Sequence, residues 1–120
     1  MEPSSCIELC IGGVSFYTTR GTLLAYSQTF FSGLVESSRT DTYSFYIDRD
    51  PMHFRYVLNH MRGSDVLPAD LHALKELRVE ADFYMLTTLV KLVDKALARH
   101  PGSFEYQLSK IHDSIKALRA

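Results

Sequence analysis

The segment Phe45-Tyr46-Ile47-Asp48-Arg49-Asp50-Pro51 decides the fold class. Its first half, with Ser44 before it, is rich in aromatic and β-branched residues and predicts a strand, which the charges and the proline then stop. Asp50 followed by Pro51 predicts a helix start. An aspartate accepts the free backbone N–H groups of a first turn, and proline suits the first helical position, where no donor is needed. Phe54, Val57, Leu58 and Met61 follow at one-face helical spacing, and Arg62-Gly63 supplies a cation for the negative helix end and a glycine for the stop.

Upstream of this segment, residues 6 to 17 alternate. Ile7, Leu9 and Ile11 point one way and Cys6, Glu8 and Cys10 the other, before Gly12-Gly13 turns the chain into Val14-Ser15-Phe16-Tyr17, which predicts a hairpin. A short turn-like or helical stretch follows at residues 18 to 24. Next comes a helix with Ser27 as its expected cap and Phe30, Phe31, Leu34 and Val35 on one side. The polar run at 36 to 42 is a surface loop.

Downstream, Pro68 and Asp70 open a helix with Leu71, Leu74, Leu77, Ala81 and Tyr84 as its buried stripe. Thr87 is the expected cap of the next, with Leu89, Val90, Val93 and Leu97 inward. Pro101-Gly102 breaks the chain and Ser103 caps a last helix. The order predicts an α+β fold in which helices dominate, with one domain over residues 1–99 and a linker plus C-terminal amphipathic helix over 100–120. In that last helix Phe104, Leu108, Ile111, Ile115 and Leu118 recur at spacings of four, three, four and three, the alternation of a coiled-coil seam. Two destinations fit it: the helix folds back on its own domain, or its seam meets a neighbouring subunit or partner helix.

The chain has 120 residues, 46% of them hydrophobic, enough for one core and too few for two ordinary domains. Basic and acidic residues, 13 against 14, nearly cancel, so no global field favours nucleic acid or an acidic membrane surface. No apolar run approaches the ~20 residues that span a bilayer, and Met1-Glu2-Pro3-Ser4-Ser5 lacks the basic flank and apolar stretch of a secretory signal. A cytoplasmic protein with no direct membrane contact is expected. Cys6 and Cys10, four residues apart in one strand, would stand roughly 13 Å apart. A disulfide reaches only about 7 Å, so free thiols are expected.

The search for chemistry finds no active site. Gly12-Gly13 follows a strand but lacks the Lys-Ser/Thr of a phosphate-cradling loop. Asp48 and Asp50 flank Arg49 at a strand-to-helix junction, where capping and ion pairing explain them better than paired catalytic carboxylates do. His53 and His60 lie on one helix about two turns, ~10 Å, apart, too far to share a metal. No enzyme, cofactor or metal is expected.

Four blocks together resemble the potassium-channel-tetramerisation type of BTB/POZ domain, over nearly all of residues 7 to 92. They are Ile7-Glu8-Leu9-Cys10-Ile11-Gly12-Gly13, with Cys10 where the family usually has asparagine; Phe16-Tyr17-Thr18-Thr19-Arg20-Gly21-Thr22-Leu23; the opening segment with Phe54-Arg55-Tyr56-Val57-Leu58-Asn59 and Arg62-Gly63; and Glu80-Ala81-Asp82-Phe83-Tyr84-Met85-Leu86. The Ile47-Asp48-Arg49-Asp50 form resembles the soluble KCTD branch, since voltage-gated channels tend to have asparagine at the Asp50 position. The resemblance implies a homo-oligomeric ring of about four or five subunits and an interaction scaffold. It also implies an adaptor role in presenting substrates to a cullin-3 ubiquitin ligase. The alternative is the cytoplasmic assembly domain of a voltage-gated potassium channel. Some channel assembly domains hold zinc between subunits through a histidine and cysteine cluster, which this chain lacks. Within a ring, an aspartate on one subunit meets an arginine on the next, and Thr18, Arg20, Asp48, Arg49, Asp50 and Arg62 are the candidate interface residues. Caps and turns within one subunit are the competing use of the same residues.

Overall fold

The computed structural model describes residues 6–119. Among them run three strands and six helices: β1 (Cys6–Ile11), β2 (Val14–Thr19), α1 (Arg20–Leu23), α2 (Phe30–Ser37), β3 (Ser44–Ile47), α3 (Phe54–Met61), α4 (Leu71–Phe83), α5 (Thr87–Arg99) and α6 (Phe104–Arg119). The fold is α+β, as the sequence predicts.

β1 and β2 form the expected antiparallel hairpin, closed by Gly12 and Gly13 at φ 54° and 98°. β3 then pairs parallel to β1 on its other side, giving the order β2-β1-β3. Ile7, Leu9 and Ile11 are fully buried under the helices, while Cys6, Glu8 and Cys10 face away. The turn also presses on the segment after β3. The Gly12 amide donates to the Ile47 carbonyl at 2.9 Å, and a Cβ at Gly12 would fall 2.4 Å from the Arg49 carbonyl oxygen. Only glycine fits between those two backbones.

Three helix starts differ from expectation, each for a local reason. Asp50 does not cap α3: its Oδ1 accepts from the Met52 amide at 2.9 Å, closing a turn two residues on, and the helix begins only at Phe54. Ser27 does not cap α2. Thr29 does, in a reciprocal capping box with Ser32, because Gln28 in the left-handed region (φ 59°) carries the chain past Ser27. Thr87 is the first residue of α5 and not its cap. Met85 (φ 57°) closes α4, with its own amide on Asp82 O and that of Leu86 on Ala81 O, so only Tyr84, Met85 and Leu86 separate the two helices.

Other ends match. Gly63 (φ 95°) stops α3, Asp70 caps α4 through the Ala73 amide at 2.9 Å, and the Ser103 hydroxyl accepts from the Tyr106 amide at 3.1 Å to cap α6.

The core joins sheet and helices through aromatic rings. Phe31 stacks on Tyr84 with centroids 4.7 Å apart, and Phe54 lies edge-on to both and 4.9 Å from Phe16. The α3 stripe is buried throughout; the α4 stripe is buried from Leu74 onward, with Leu71 half-exposed, and in α5 Leu89 and Val93 are buried while Val90 and Leu97 are half-buried. Arg78 of α4 reaches Asp94 of α5 at 2.7 Å.

α6 stands apart. None of its residues is buried, and the chain measures 66 × 25 × 23 Å with a radius of gyration of 18.1 Å, against about 14 Å for a compact chain of this length. In the single chain its apolar seam is exposed along its length. Among the described residues, no helix is long and apolar enough to cross a membrane.

Candidate protein-interaction site

The six charged and polar residues singled out from sequence separate into two groups according to what satisfies them. Arg49 leaves β3 and turns back onto α4, where its Nε and Nη2 donate to the two oxygens of Glu80 at 3.1 and 2.6 Å. Its Cζ lies 4.0 Å from the centroid of the Phe83 ring. Bidentate pairing and a ring face make the strongest form of such a contact. The pair is largely enclosed, with side chains 28% and 11% exposed, and Glu80 pushes the Arg49 pKa further up. The charge of Arg49 is thus answered inside the chain, and a neighbour's carboxylate would have to compete with Glu80. Nearby, burial drives the Tyr84 phenol strongly upward, with the Glu80 charge adding to the shift, and among the described residues its hydroxyl has no partner.

The remaining charges are held only by neutral groups. Arg20 Nη2 donates to the carbonyls of Thr42 and Thr40 at 3.1 and 3.3 Å, fastening α1 to the loop before β3. Arg62 Nη2 donates to the Tyr17 carbonyl at 2.6 Å and Nη1 to Asn59 Oδ1 at 3.3 Å. Asp48 and Asp50 are exposed, and among the described residues neither forms an ion pair. These charges also lie apart. Arg62 is tied to β2, one edge of the sheet, close to Thr18, which pairs with Ile7 near the start of β1. Asp48 follows Ile47 of β3, the other edge, which pairs with Ile11 at the far end of β1. Arg62 and Asp48 therefore occupy diagonally opposite corners, while Arg20 reaches from the end of β2 to the loop before β3. Thr18 is 6% exposed and its hydroxyl is unpartnered among the described residues.

The outward face of the sheet adds apolar surface. Tyr17 stands on it beside Glu8 and Tyr46 beside Cys10, and the Glu8 carboxylate accepts from Ser15 Oγ at 2.7 Å and Ser44 Oγ at 3.0 Å. Those two hydroxyls hold the Glu8 pKa below its usual value. Cys6 and Cys10 share this face as free thiols. On α6 the seam Phe104, Leu108, Ile111, Ile115 and Leu118 is exposed throughout, from 43% at Ile115 to 86% at Leu118. A row of large apolar side chains on one helix is a surface suited to another protein.

Sequence reasoning missed Glu80 as the partner of Arg49, because the two are 31 positions apart and only the α3–α4 packing brings them together. It also missed the surroundings of His60, which is buried on α3. The available signal was its place beside Val57, Leu58 and Met61. Among the described residues, no group of three or more histidine, cysteine or acidic side chains is arranged to hold a metal.

Comparison with known proteins agrees with this architecture. The family model for the BTB/POZ domain matches residues 7–95. BTB/POZ domain-containing protein KCTD5 of Homo sapiens is 39% identical over 117 residues, covering 91% of this chain and 50% of that protein. SH3KBP1-binding protein 1 of Rattus norvegicus is 38% identical over 93 residues (74% of this chain, 13% of the relative). BTB/POZ domain-containing protein KCTD3 of Homo sapiens is 37% identical over 91 residues (71% and 11%). The chain spans half or less of the length of these relatives. On these matches and on its fold, the chain belongs to the BTB/POZ family of protein-interaction domains, in the potassium-channel-tetramerisation branch that includes the KCTD proteins.

Proposed function

We propose that this chain is a non-catalytic cytoplasmic scaffold that assembles head to tail into a ring of about four or five copies and presents a bound partner to a cullin-3 ubiquitin ligase. The observation that carries the self-association is the diagonal separation of unneutralised charge, Arg62 at one corner of the sheet and Asp48 and Asp50 at the other. A surface that complements a different surface of the same molecule makes a heterologous contact, and such contacts generate rings when the rotation closes. Exposed ion pairs contribute only about 0.2–1 kcal/mol each, so the charges fix register and exclude wrong neighbours. Affinity must come from apolar burial, for which Tyr17, Tyr46 and Met52 are exposed.

Light scattering tests the assembly. The expected mass is a small multiple of 13.7 kDa. Asp48→Arg should lower it toward one subunit, and adding Arg62→Asp in the same chain should restore the wild-type mass. An Asp48→Arg protein that assembles like the wild type removes the charged corners from the interface. The ligase role is tested separately by pull-down with the cullin-3 N-terminal region, where absence of binding to an intact ring leaves the scaffold and removes the adaptor.

The proposal extends to α6, whose seam is assigned to a neighbouring subunit or partner helix, as a C-terminal element distinct from the domain before it. Replacing Ile111 and Ile115 with serine should lower the oligomer's mass or its melting temperature while leaving the monomer fold intact, because neither side chain is buried in the single chain. Unchanged mass and melting would place the seam outside the assembly.

A further inference from the structure

We propose that Thr88 is an acylation site, its hydroxyl activated by His60 and Asp65 to take one acyl group from a thioester or activated ester. His60 is 3% exposed, and its ring is stacked against Tyr26 with centroids 5.2 Å apart. Its Nδ1 lies 2.6 Å from Asp65 Oδ1 and its Nε2 lies 2.8 Å from Thr88 Oγ1. An ionised carboxylate only accepts, so Nδ1 carries the ring proton. The Nε2 lone pair then faces the threonine hydroxyl, which donates to it. A hydroxyl, an imidazole and a carboxylate in this order and at these distances form the relay that turns an alcohol into a nucleophile.

The surroundings fit an acceptor. Thr88 is exposed and borders an open cleft of about 550 Å³ whose lining includes Tyr26, Gln28, Thr29 and Leu86. Two segments wall this cleft, and each contains one of the non-glycine residues held at positive φ, Gln28 at 59° and Met85 at 57°. No side chain caps α5, so its first-turn amides remain as donors at the same helix end as the hydroxyl, suited to the oxyanion of a tetrahedral intermediate.

The step balances without a further reagent. Thr88 Oγ bonds to the acyl carbon as the carbon–sulfur or carbon–oxygen bond of the donor breaks. His60 Nε2 takes the hydroxyl proton and passes it to the departing thiolate or alkoxide. The products are O-acyl-Thr88 and a free thiol or alcohol. Asp65 acts through His60, holding its tautomer, and is a positioning residue.

The test treats the full chain with p-nitrophenyl acetate and maps acetyl groups by peptide mass spectrometry, which separates Thr88 from the free thiols of Cys6 and Cys10. The expected result is acetyl on the Thr88 peptide in the wild type and in Thr88→Ser, and none there in Thr88→Val. His60→Gln should slow it on the order of 100-fold. Asp65→Asn should slow it and Asp65→Glu should regain part of the rate, at matched melting temperatures. Should His60→Gln fail to fold, the Asp65 pair carries the same test. Acetyl confined to lysines, cysteines or the amino terminus would falsify the proposal, as would a Thr88 rate indifferent to His60 and Asp65.

Discussion

Glu80→Ala is expected to lower the unfolding free energy by about 3 kcal/mol, the low end of the cost of stranding a buried charge, because Arg49 keeps some access to solvent. Arg49 would keep its place against Phe83 but lose both carboxylate oxygens at 2.6 and 3.1 Å, and water on its 28% exposed side chain replaces only part of them. A domain of this size has roughly 5–15 kcal/mol in total, so the loss is a large fraction of what holds the chain folded. The pair itself is a different matter. Replacing Arg49 and Glu80 together with methionine and leucine should recover most of the loss, because desolvating two ions offsets much of their attraction. Denaturant unfolding at one fixed protomer concentration measures both, since assembly adds stability of its own. A Glu80→Ala loss below about 1 kcal/mol would mean that the guanidinium finds water and that the contact behaves as a surface pair.

Phe54→Ala should cost about as much, roughly 3–5 kcal/mol, by another route. Its ring is 1% exposed and meets Phe16 of β2, Phe31 of α2 and Tyr84 at the end of α4, so it is where sheet and helices share a centre. Truncation leaves a cavity that three rings on three elements cannot jointly collapse into. Phe54→Leu should recover about half of the loss by refilling part of the volume. Equal melting curves for the alanine and leucine variants would show that the site relaxes freely.

The sheet and the helix stripes were legible in the sequence because their periods are local. Alternation at 7, 9 and 11 and one-face spacing at 54, 57, 58 and 61 follow from backbone geometry alone. Helix starts were less legible. Asp50, Ser27 and Thr87 have the right chemistry for caps, yet a turn at Met52, a left-handed Gln28 and a left-handed Met85 moved each boundary by one to three residues. No pattern of residue types reports a positive φ at glutamine or methionine. Among the candidate contacts, the sequence named both signs of charge but not their arrangement. That Arg49 is answered by Glu80 depends on the packing of α4 against α3, and that Arg62 and Asp48 stand at opposite corners depends on the register of β1 with β2 and β3.

The projecting α6 also governs how the molecule moves through solution. A body 66 Å long and about 25 Å wide meets more solvent drag than a sphere of equal mass. A single copy would therefore leave a sizing column early and sediment slowly, imitating something heavier. If the seam of α6 pairs with that of another copy, the excess friction per subunit should fall as the mass rises. The ratio of diffusion coefficient to scattering mass then reports the state of that helix directly, without any substitution.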